Sequence, residues 1–218
     1  MSNKHPPEAD NRTAMRRVVR GARKAALATL MAEGGAPYAS MVTVAVTADL
    51  SVLLLLSEIS EHTRNLRADP RLSLLFDATL GHANPQTGPR VSLIGTAAPT
   101  GDAGDRARFL ALHPGAAQYA GFGDFHIWRM TPSRAHFVGG FARAVWFDPP
   151  FGLTPSMLSM PGCPDLDAED LDAEDLAAKA GDASTGWVIA GQDPDGLDLM
   201  NGERHLRVSR PCTPHPAG

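Results

Sequence analysis

The stretch VLLLLSEISEHTRNLRADPRLSLLF, residues 52–76, decides the fold because three patterns follow one another within it. Residues 52–56 are an uninterrupted apolar run, which is typical of a buried strand. Ser60 is a favourable helix N-cap, and Pro70 ends the helix before the apolar run that closes the stretch. The stretch therefore predicts a strand, a short helix and a second strand.

The start of this helix is a candidate anion site. A helix that begins at the end of a buried strand points its free backbone N–H groups out of the sheet. Glu61 suits the positive end of the helix dipole, while His62 and Arg64 add side-chain donors. The pattern predicts a site for a phosphate. The alternative is that Ser60 caps an ordinary connecting helix whose histidine and arginine are solvated.

Composition limits the class of protein. The chain has 218 residues, 43% of them apolar, and a net charge of −4, so it can form a real core and gives no general reason to expect a nucleic-acid partner. Its two cysteines, Cys163 and Cys212, form no CxxC pair, which disfavours a disulfide framework or a zinc site. Residues 1–10 contain no apolar signal-peptide core, and residues 52–56 are too few to span a bilayer. We expect a cytoplasmic protein without a membrane partner.

Charge is unevenly distributed along the chain. Up to Leu30 there are seven basic residues and two acidic ones. This segment predicts an amphipathic helix with solvated arginines, whose apolar stripe consists of Val18, Ala22, Ala25 or Ala26, and Leu30. Residues 165–182 carry eight acidic residues against Lys179 alone, which predicts a short solvated linker or a frayed helix.

The middle of the chain is predicted to be mainly strands. Further strands are predicted at residues 38–47, 71–78, 90–98, 126–131 and 134–144, and a second helix at residues 106–112. The strands lie too close together for repeated crossover helices, which disfavours a parallel α/β fold. Five or six antiparallel strands with two short helices indicate a closed or split β-barrel.

Two longer motifs carry a family resemblance. HTRNLRADPRLSLLF (62–76) and RAHFVGGFARAVWF (134–147) resemble the flavin-binding split barrels related to pyridoxamine-phosphate oxidase, and within them the haem-utilisation (HugZ-type) branch. Residues 186–199 are similar to the end of that branch's C-terminal domain, whose helical first half is replaced here by the acidic stretch. The resemblance implies a mainly β (α+β) fold, an antiparallel split β-barrel with short flanking helices and a small C-terminal α+β extension.

The resemblance also implies four segments. These are a disordered N-terminus (1–12), an FMN-binding split-barrel domain (13–150), an acidic linker (151–184) and a truncated haem-utilisation-like subdomain (185–218).

In relatives of this kind, FMN lies between the two subunits of a homodimer, and a Ser-Arg-Lys triplet holds its phosphate. That triplet falls on Ser60, Glu61 and His62, so the arginine and lysine are replaced here. The cofactor-binding candidates that the resemblance implies are Ser40, Met41, Val42, Ser57, Ser60, His62, Thr63, Arg64, Trp128 and Arg143. Core packing explains Trp128 at least as well as a place in the flavin site does. Arg143 would follow a bulge at Gly139 and Gly140. No residue is an obvious catalytic base.

Three functions follow. The leading one is an FMN-binding oxidoreductase acting on a small-molecule substrate, in which the flavin accepts a hydride or electrons. The second is a flavin-free haem-binding or haem-degrading protein, in which Arg64 or Arg143 pairs with propionates and a histidine ligates iron. Because haem-utilisation relatives use a C-terminal histidine, His205 and His215 are the iron-ligand candidates. The third is a degenerate split barrel that serves only as an interaction module.

Overall fold

The computed structural model describes residues 8–141, 143–159 and 172–209. Within them the helices are α1 (Glu8–Arg20), α2 (Glu61–Ala68), α3 (Ala103–Leu112), α4 (Pro155–Ser159) and α5 (Ala173–Lys179). The strands are β1 (Lys24–Leu30), β2 (Pro37–Thr43), β3 (Ala45–Val46), β4 (Val52–Ser57), β5 (Arg71–Asp77), β6 (Arg90–Pro99), β7 (Phe125–Val138), β8 (Ala144–Phe147), β9 (Val188–Asp193), β10 (Gly196–Asn201) and β11 (Arg204–Ser209).

The strands form two antiparallel sheets. The larger sheet has the order β2-β1-β5-β6-β7-β4-β3, with β8 also paired to β7, and it curls into a half-barrel. The smaller sheet has the order β11-β10-β9. The predicted mainly β (α+β) split barrel with a C-terminal α+β extension is therefore confirmed, while the four segment boundaries stay a prediction.

The β4-α2-β5 unit forms as the opening stretch predicts. Leu53 and Leu54 of β4 are fully buried, and β4 pairs with β7 along its whole length. Leu66 is the apolar contact of α2 with the main core, which also contains Leu72 and Phe76 of β5. Burial of this apolar surface fixes the place where α2 begins, directly beyond the end of β4.

The prediction of one long basic helix is wrong after Arg20. Residues Lys24–Leu30 form strand β1, in which Ala25 and Leu27 are buried and their neighbours are exposed. This alternation has the period of a strand, and β1 pairs with both β2 and β5. Pairing on both edges therefore outweighs the helix propensity of its alanines.

Two arginines of α1 are not solvated as predicted, whereas Arg17 is exposed. Arg16 and Arg20 are buried beneath the turn between β9 and β10, where they bind Asp195. The partners are 179 and 175 residues apart in sequence, so no local pattern could have revealed the pairing. The C-terminal sheet thus closes over α1 and is tied to it by charge.

Strand β7 is longer than predicted. Residues 126–131 and 134–144 were expected to be separate strands, but β7 continues through Pro132, where the register with β6 shifts beside Gly95. Gly139 and Gly140 do not form a bulge within a strand. They begin the turn to β8, in which the N–H of Gly139 donates to the carbonyl of Arg143 at 2.8 Å.

The segment expected to be a solvated linker or a frayed helix contains a helix that packs. Helix α5 buries Ala177 against Trp187 and Leu199, in a small core of its own with the C-terminal sheet. Asp172 caps α5 by accepting hydrogen bonds from the N–H groups of Glu174 and Asp175. Residues 160–171 lie outside the described residues. At the other end of the chain, residues 8–12, expected to be disordered, are part of α1.

Among the described residues, no helix combines the length and the apolar character that crossing a membrane requires.

Candidate functional site at the start of helix α2

Helix α2 is positioned by a buried asparagine that the sequence analysis did not select. Asn65 is fully buried: its Oδ1 accepts from the N–H of Ala32 at 3.0 Å, and its Nδ2 donates to Oγ1 of Thr29 at 3.1 Å. Asparagine is unfavourable inside a helix because its side chain competes for backbone hydrogen bonds. An asparagine inside a short predicted helix was therefore a sequence signal that its side chain binds another element, which the structure shows to be β1.

The hydroxyl groups at the helix start bind one another. Ser60 occupies the N-cap position, but its side chain does not cap a backbone N–H. Its Oγ instead donates to the carbonyl of Ser57 at 2.7 Å and lies 2.8 Å from Oγ1 of buried Thr63. Ser60 thus lies at the N-cap position as predicted, but its hydroxyl joins the end of β4 to α2 and does not bind a backbone N–H of the helix.

Carboxylates surround this helix start. Ser57 Oγ donates to Oδ2 of Asp124 at 2.8 Å, while Glu58 and Glu61 lie on either side of Ser60. The N–H of Glu58 also donates to the carbonyl of Asp124 at 2.8 Å, which joins the α2 start to the turn before β7. The local field is therefore more negative than the sequence alone suggested.

The nearby arginines are engaged by these carboxylates. Arg64 pairs with Glu61 one turn earlier, and Arg67 Nε lies 2.8 Å from Oε2 of Glu58. The hydrogen bond from Arg67 holds the pKa of Glu58 below its usual range. The guanidinium carbon of Arg67 also lies 5.5 Å from the ring centroid of Trp128.

The imidazole of His62 is the chemically distinctive group. It is half-buried, and its Nδ1 lies 3.2 Å from Oγ of Ser40 on the neighbouring β2. Among the described residues, no hydrogen bond reaches Nε2. Burial lowers the pKa of His62, so the ring is neutral around pH 7. A neutral imidazole with one nitrogen held and the other accessible is suited to binding a metal.

The other predicted cofactor residues are dispersed. Met41 and Val42 follow Ser40 on β2, but Met41 is exposed on the outer face and Val42 is buried in the core. Trp128 is buried in the main core, as the core-packing explanation predicts, and its Nε1 finds no hydrogen-bond partner among the described residues. Arg143 Nε donates to Oδ1 of Asn11 at 2.5 Å and therefore binds α1. The structure brings together Ser40, Ser57, Ser60, His62 and Thr63, with Arg64 at their exposed edge.

His205 lies in a separate cluster of buried charges. Its Nε2 is 2.9 Å from Oδ1 of Asp198, whose Oδ2 accepts from Arg108 at 2.5 Å. Arg207 bridges Asp193 and Asp198, at 2.6 and 3.2 Å. His215 lies outside the described residues. Within the described ranges, no group of three or more His, Cys, Asp or Glu side chains could hold a metal ion.

The fold is that of the split-barrel class: an antiparallel barrel in which helix α2 starts beside the end of β4. The sequence model of the pyridoxamine 5'-phosphate oxidase family matches residues 12–139. The chain belongs to this family.

Individual relatives show which members of the family the chain is similar to. The chain is 37% identical over 113 residues to the chloroplastic heme oxygenase HOZ of Arabidopsis thaliana, a match that covers 50% of this chain and 34% of that protein. The matching segment thus spans about a third of the curated relative's length.

Two solved structures cover nearly the whole chain. A protein of unknown function from Agrobacterium tumefaciens has 25% identity and a TM-score of 0.73, covering 96% of this chain and 92% of that one. A heme binding protein from Mycobacterium smegmatis has 29% identity and a TM-score of 0.61, covering 94% of this chain and 89% of that one. The predicted relationship to haem-utilisation proteins of this family is confirmed.

Proposed function

We propose that this protein binds haem, and that the site at the start of α2 contributes to holding it. The observation that carries the proposal is the donor set of this site. It offers a neutral imidazole and hydroxyl groups, while both nearby arginines are already paired with carboxylates. The resemblance to a heme binding protein and to a heme oxygenase supports the same assignment.

The donor set fits the phosphate of FMN poorly. A phosphate at the α2 start would lie among Glu58, Glu61 and Asp124, and its charge would be repelled by all three carboxylates. Arg64 would have to leave Glu61, and Arg67 would have to leave Glu58, before either could compensate that charge. The backbone N–H groups at the helix start would have to offset this repulsion while both nearby arginines stay paired with carboxylates.

The surroundings suit a large apolar ligand better. Ile59 and Phe122 are 82% and 59% exposed, and they belong to the two segments that the Glu58–Asp124 hydrogen bond joins. Exposed apolar side chains beside a polar site are typical of a binding surface. A tetrapyrrole would bury such surface while its propionates remained in water. Its iron would supply one-electron and O₂ chemistry when bound.

We also propose that the protein is a homodimer formed through the outer face of the large sheet. Residues that face each other across β2, β1, β5, β6, β7 and β8 form one continuous row on that face, namely Met41, Ala26, Leu75, Ser92, His136 and Trp146. Met41, Leu75 and Trp146 are 67%, 41% and 46% exposed. Apolar surface of this kind on an exposed sheet face favours a second copy of the chain as its partner.

Absorption and fluorescence titrations test the haem assignment. With haemin, we expect a sharpened and shifted Soret band that saturates. With FMN at the same concentrations, we expect unquenched flavin fluorescence. The opposite pair of results would support the FMN-binding oxidoreductase instead. Binding of neither ligand would favour the interaction module.

Variants of the apolar surface sharpen this test. Ile59→Asp and Phe122→Asp should each weaken haemin binding about tenfold or more, since each removes apolar contact area. Leu80→Asp is the control, because Leu80 is even more exposed than Ile59 and Phe122 but lies in the loop between β5 and β6. Equal effects of all three variants would show that haemin associates with exposed apolar side chains without a site.

A further inference from the structure

We propose that His62 ligates the haem iron through Nε2, and that Ser40 is the positioning residue that orients its imidazole. This inference rests on the proposed haem-binding function and adds to it the iron ligand. It differs from the expectation of a C-terminal histidine ligand, and its basis is the hydrogen-bond geometry of His62 and of the other histidines.

The contact between Ser40 and His62 is compatible with the tautomer that iron requires. Iron binds the unprotonated nitrogen of a neutral imidazole, so the other nitrogen must carry the proton. With Nδ1 protonated, His62 donates to Oγ of Ser40 across the observed 3.2 Å, and the lone pair of Nε2 is free. Hydrogen bonding of the second ring nitrogen is the usual support for a metal-ligating histidine.

Both partners of this contact are held by the same strand. Ser40 faces Leu27 in the pairing of β2 with β1. His62 lies on α2, which Asn65 fixes to Thr29 of β1 and to Ala32 just beyond it. The imidazole is therefore preorganised by the barrel and does not depend on a ligand to order it.

Two other described histidines have their ring nitrogens engaged in structural contacts. His113 is buried: its Nε2 lies 2.8 Å from the carbonyl of Val44, and its Nδ1 lies 3.2 Å from Nη2 of Arg23. His205 has its Nε2 on Asp198 within the charge cluster. Iron binding at either Nε2 would break a buried contact.

The remaining described histidines lack a comparable arrangement. His126 has its Nε2 3.5 Å from Glu58, and His82 lies on the exposed loop after β5. His136 stacks on Trp146 with ring centroids 4.4 Å apart, on the face assigned to the second copy. Among the described histidines, His62 therefore combines a half-buried position, a held Nδ1 and an Nε2 that no hydrogen bond reaches.

The test uses haemin and the full chain. His62→Ala should lose the spectrum of a histidine-ligated ferric haem in visible absorption and electron paramagnetic resonance, and added imidazole should restore it. His62→Gln, closer in size to histidine, gives the same test if the alanine variant folds poorly.

The role of Ser40 is tested separately. Ser40→Ala should weaken haemin binding by about tenfold, as loss of such a supporting contact typically does. Ser40→Thr, which keeps the hydroxyl, should restore the affinity.

Matched controls separate this inference from the broader function. His126→Ala removes a histidine from the same region, and His205→Ala removes the C-terminal candidate; both should retain the wild-type spectrum. If wild-type protein binds haemin but His62→Ala keeps the histidine-ligated spectrum, the ligand assignment is overturned and haem binding stands. Loss of that spectrum in His205→Ala alone would assign the iron to His205. Failure of the wild type to bind haemin would overturn both proposals.

Discussion

At the residue scale, the side chain of Asn65 joins helix α2 to strand β1 from inside the protein. Replacing it with alanine leaves the Ala32 N–H and the Thr29 hydroxyl without their partner. We expect Asn65→Ala to lower the free energy of unfolding by about 1 to 3 kcal/mol, the cost of leaving buried polar groups unsatisfied. Urea denaturation followed by circular dichroism measures this loss.

Asn84 offers a chemically matched control for that variant. It is exposed, and its Oδ1 accepts from the N–H of Gln86 in the loop between β5 and β6. We expect Asn84→Ala to cost less than about 1 kcal/mol, as an exposed cap. Equal losses for Asn65→Ala and Asn84→Ala would contradict the anchoring role of Asn65.

Asp195 gives a pH-dependent prediction. Burial alone would raise its pKa, but hydrogen bonds and charges from Arg16 and Arg20 outweigh burial and hold the pKa below its usual value. The carboxyl group of Asp195 therefore binds a proton less readily in the folded chain than in the unfolded chain. Its charged form stabilises the fold fully at pH values above the unfolded pKa, which is about 4. This stabilisation is lost as pH falls through the lower folded pKa.

The variant Asp195→Asn isolates this contribution. At pH 7 we expect it to cost about 3 to 5 kcal/mol, since it leaves two buried arginines short of a partner. The gap between wild type and variant in urea denaturation should narrow as pH falls below about 4. A gap that stays constant from pH 7 to pH 3 would show that Asp195 does not contribute through its charge.

Local sequence patterns placed residues correctly but could not give their partners. Ser60 and His62 lie at the start of a helix as predicted, because capping and strand-end signals are local. The contacts of Ser57 with Asp124 and of Arg16 with Asp195 join residues 67 and 179 positions apart. The Ser57–Asp124 contact brings to the site a carboxylate that no local pattern indicated, while Arg64, on which the phosphate prediction rested, is paired with Glu61 three residues earlier.

At the scale of elements, the bulge between β6 and β7 explains how β7 passes through Pro132. A Cβ at Gly95 would lie 2.1 Å from the carbonyl oxygen of Thr131, so only glycine fits at this approach. We expect Gly95→Ala to destabilise the protein by about 1 to 3 kcal/mol or more, because the two strands must separate. Denaturant midpoints provide the measurement.

Gly101→Ala is the control for that substitution. A Cβ at Gly101 meets no atom of the described residues within 4 Å, and Gly101 lies in the loop between β6 and α3. Its effect should stay within about 0.5 kcal/mol, as for other surface substitutions. A Gly95→Ala variant as stable as Gly101→Ala would show that β6 and β7 tolerate a wider spacing.

The bounds of the helices and strands could be predicted where the apolar pattern and the turn signals agreed. Strands β4, β5 and β6 and helix α3 formed close to their predicted bounds, with Asp102 as the helix cap. Strand β1 was missed because alanine-rich sequence with basic residues favours a helix locally, and only its two neighbouring strands make it extended. The break expected at Pro132 was likewise overridden, since Gly95 on the neighbouring strand accommodates the proline.

At the scale of the whole molecule, the C-terminal sheet is integrated with the barrel by charge as well as by packing. Asp193 and Asp195 bind Arg16 and Arg20 of α1, while Asp198 binds Arg108 of α3. Met200 of β10 packs in a core cluster with Phe109 of α3. An extension attached in this way covers one end of the barrel and leaves the outer face of the large sheet open.

That open face gives the last prediction. If it pairs with a second copy, light scattering should show a dimer at micromolar concentration, and the interface should bury more than about 2,000 Å² in total, as obligate dimers do. The double variant Leu75→Arg, Ile94→Arg places two charges on neighbouring strands of this face and should produce a monomer, because a buried unpaired charge is costly. Leu80→Arg changes a more exposed leucine that lies off the sheet, and this variant should remain dimeric. A wild-type monomer would contradict the proposed dimer, and a double variant that stays dimeric would place the interface on another face.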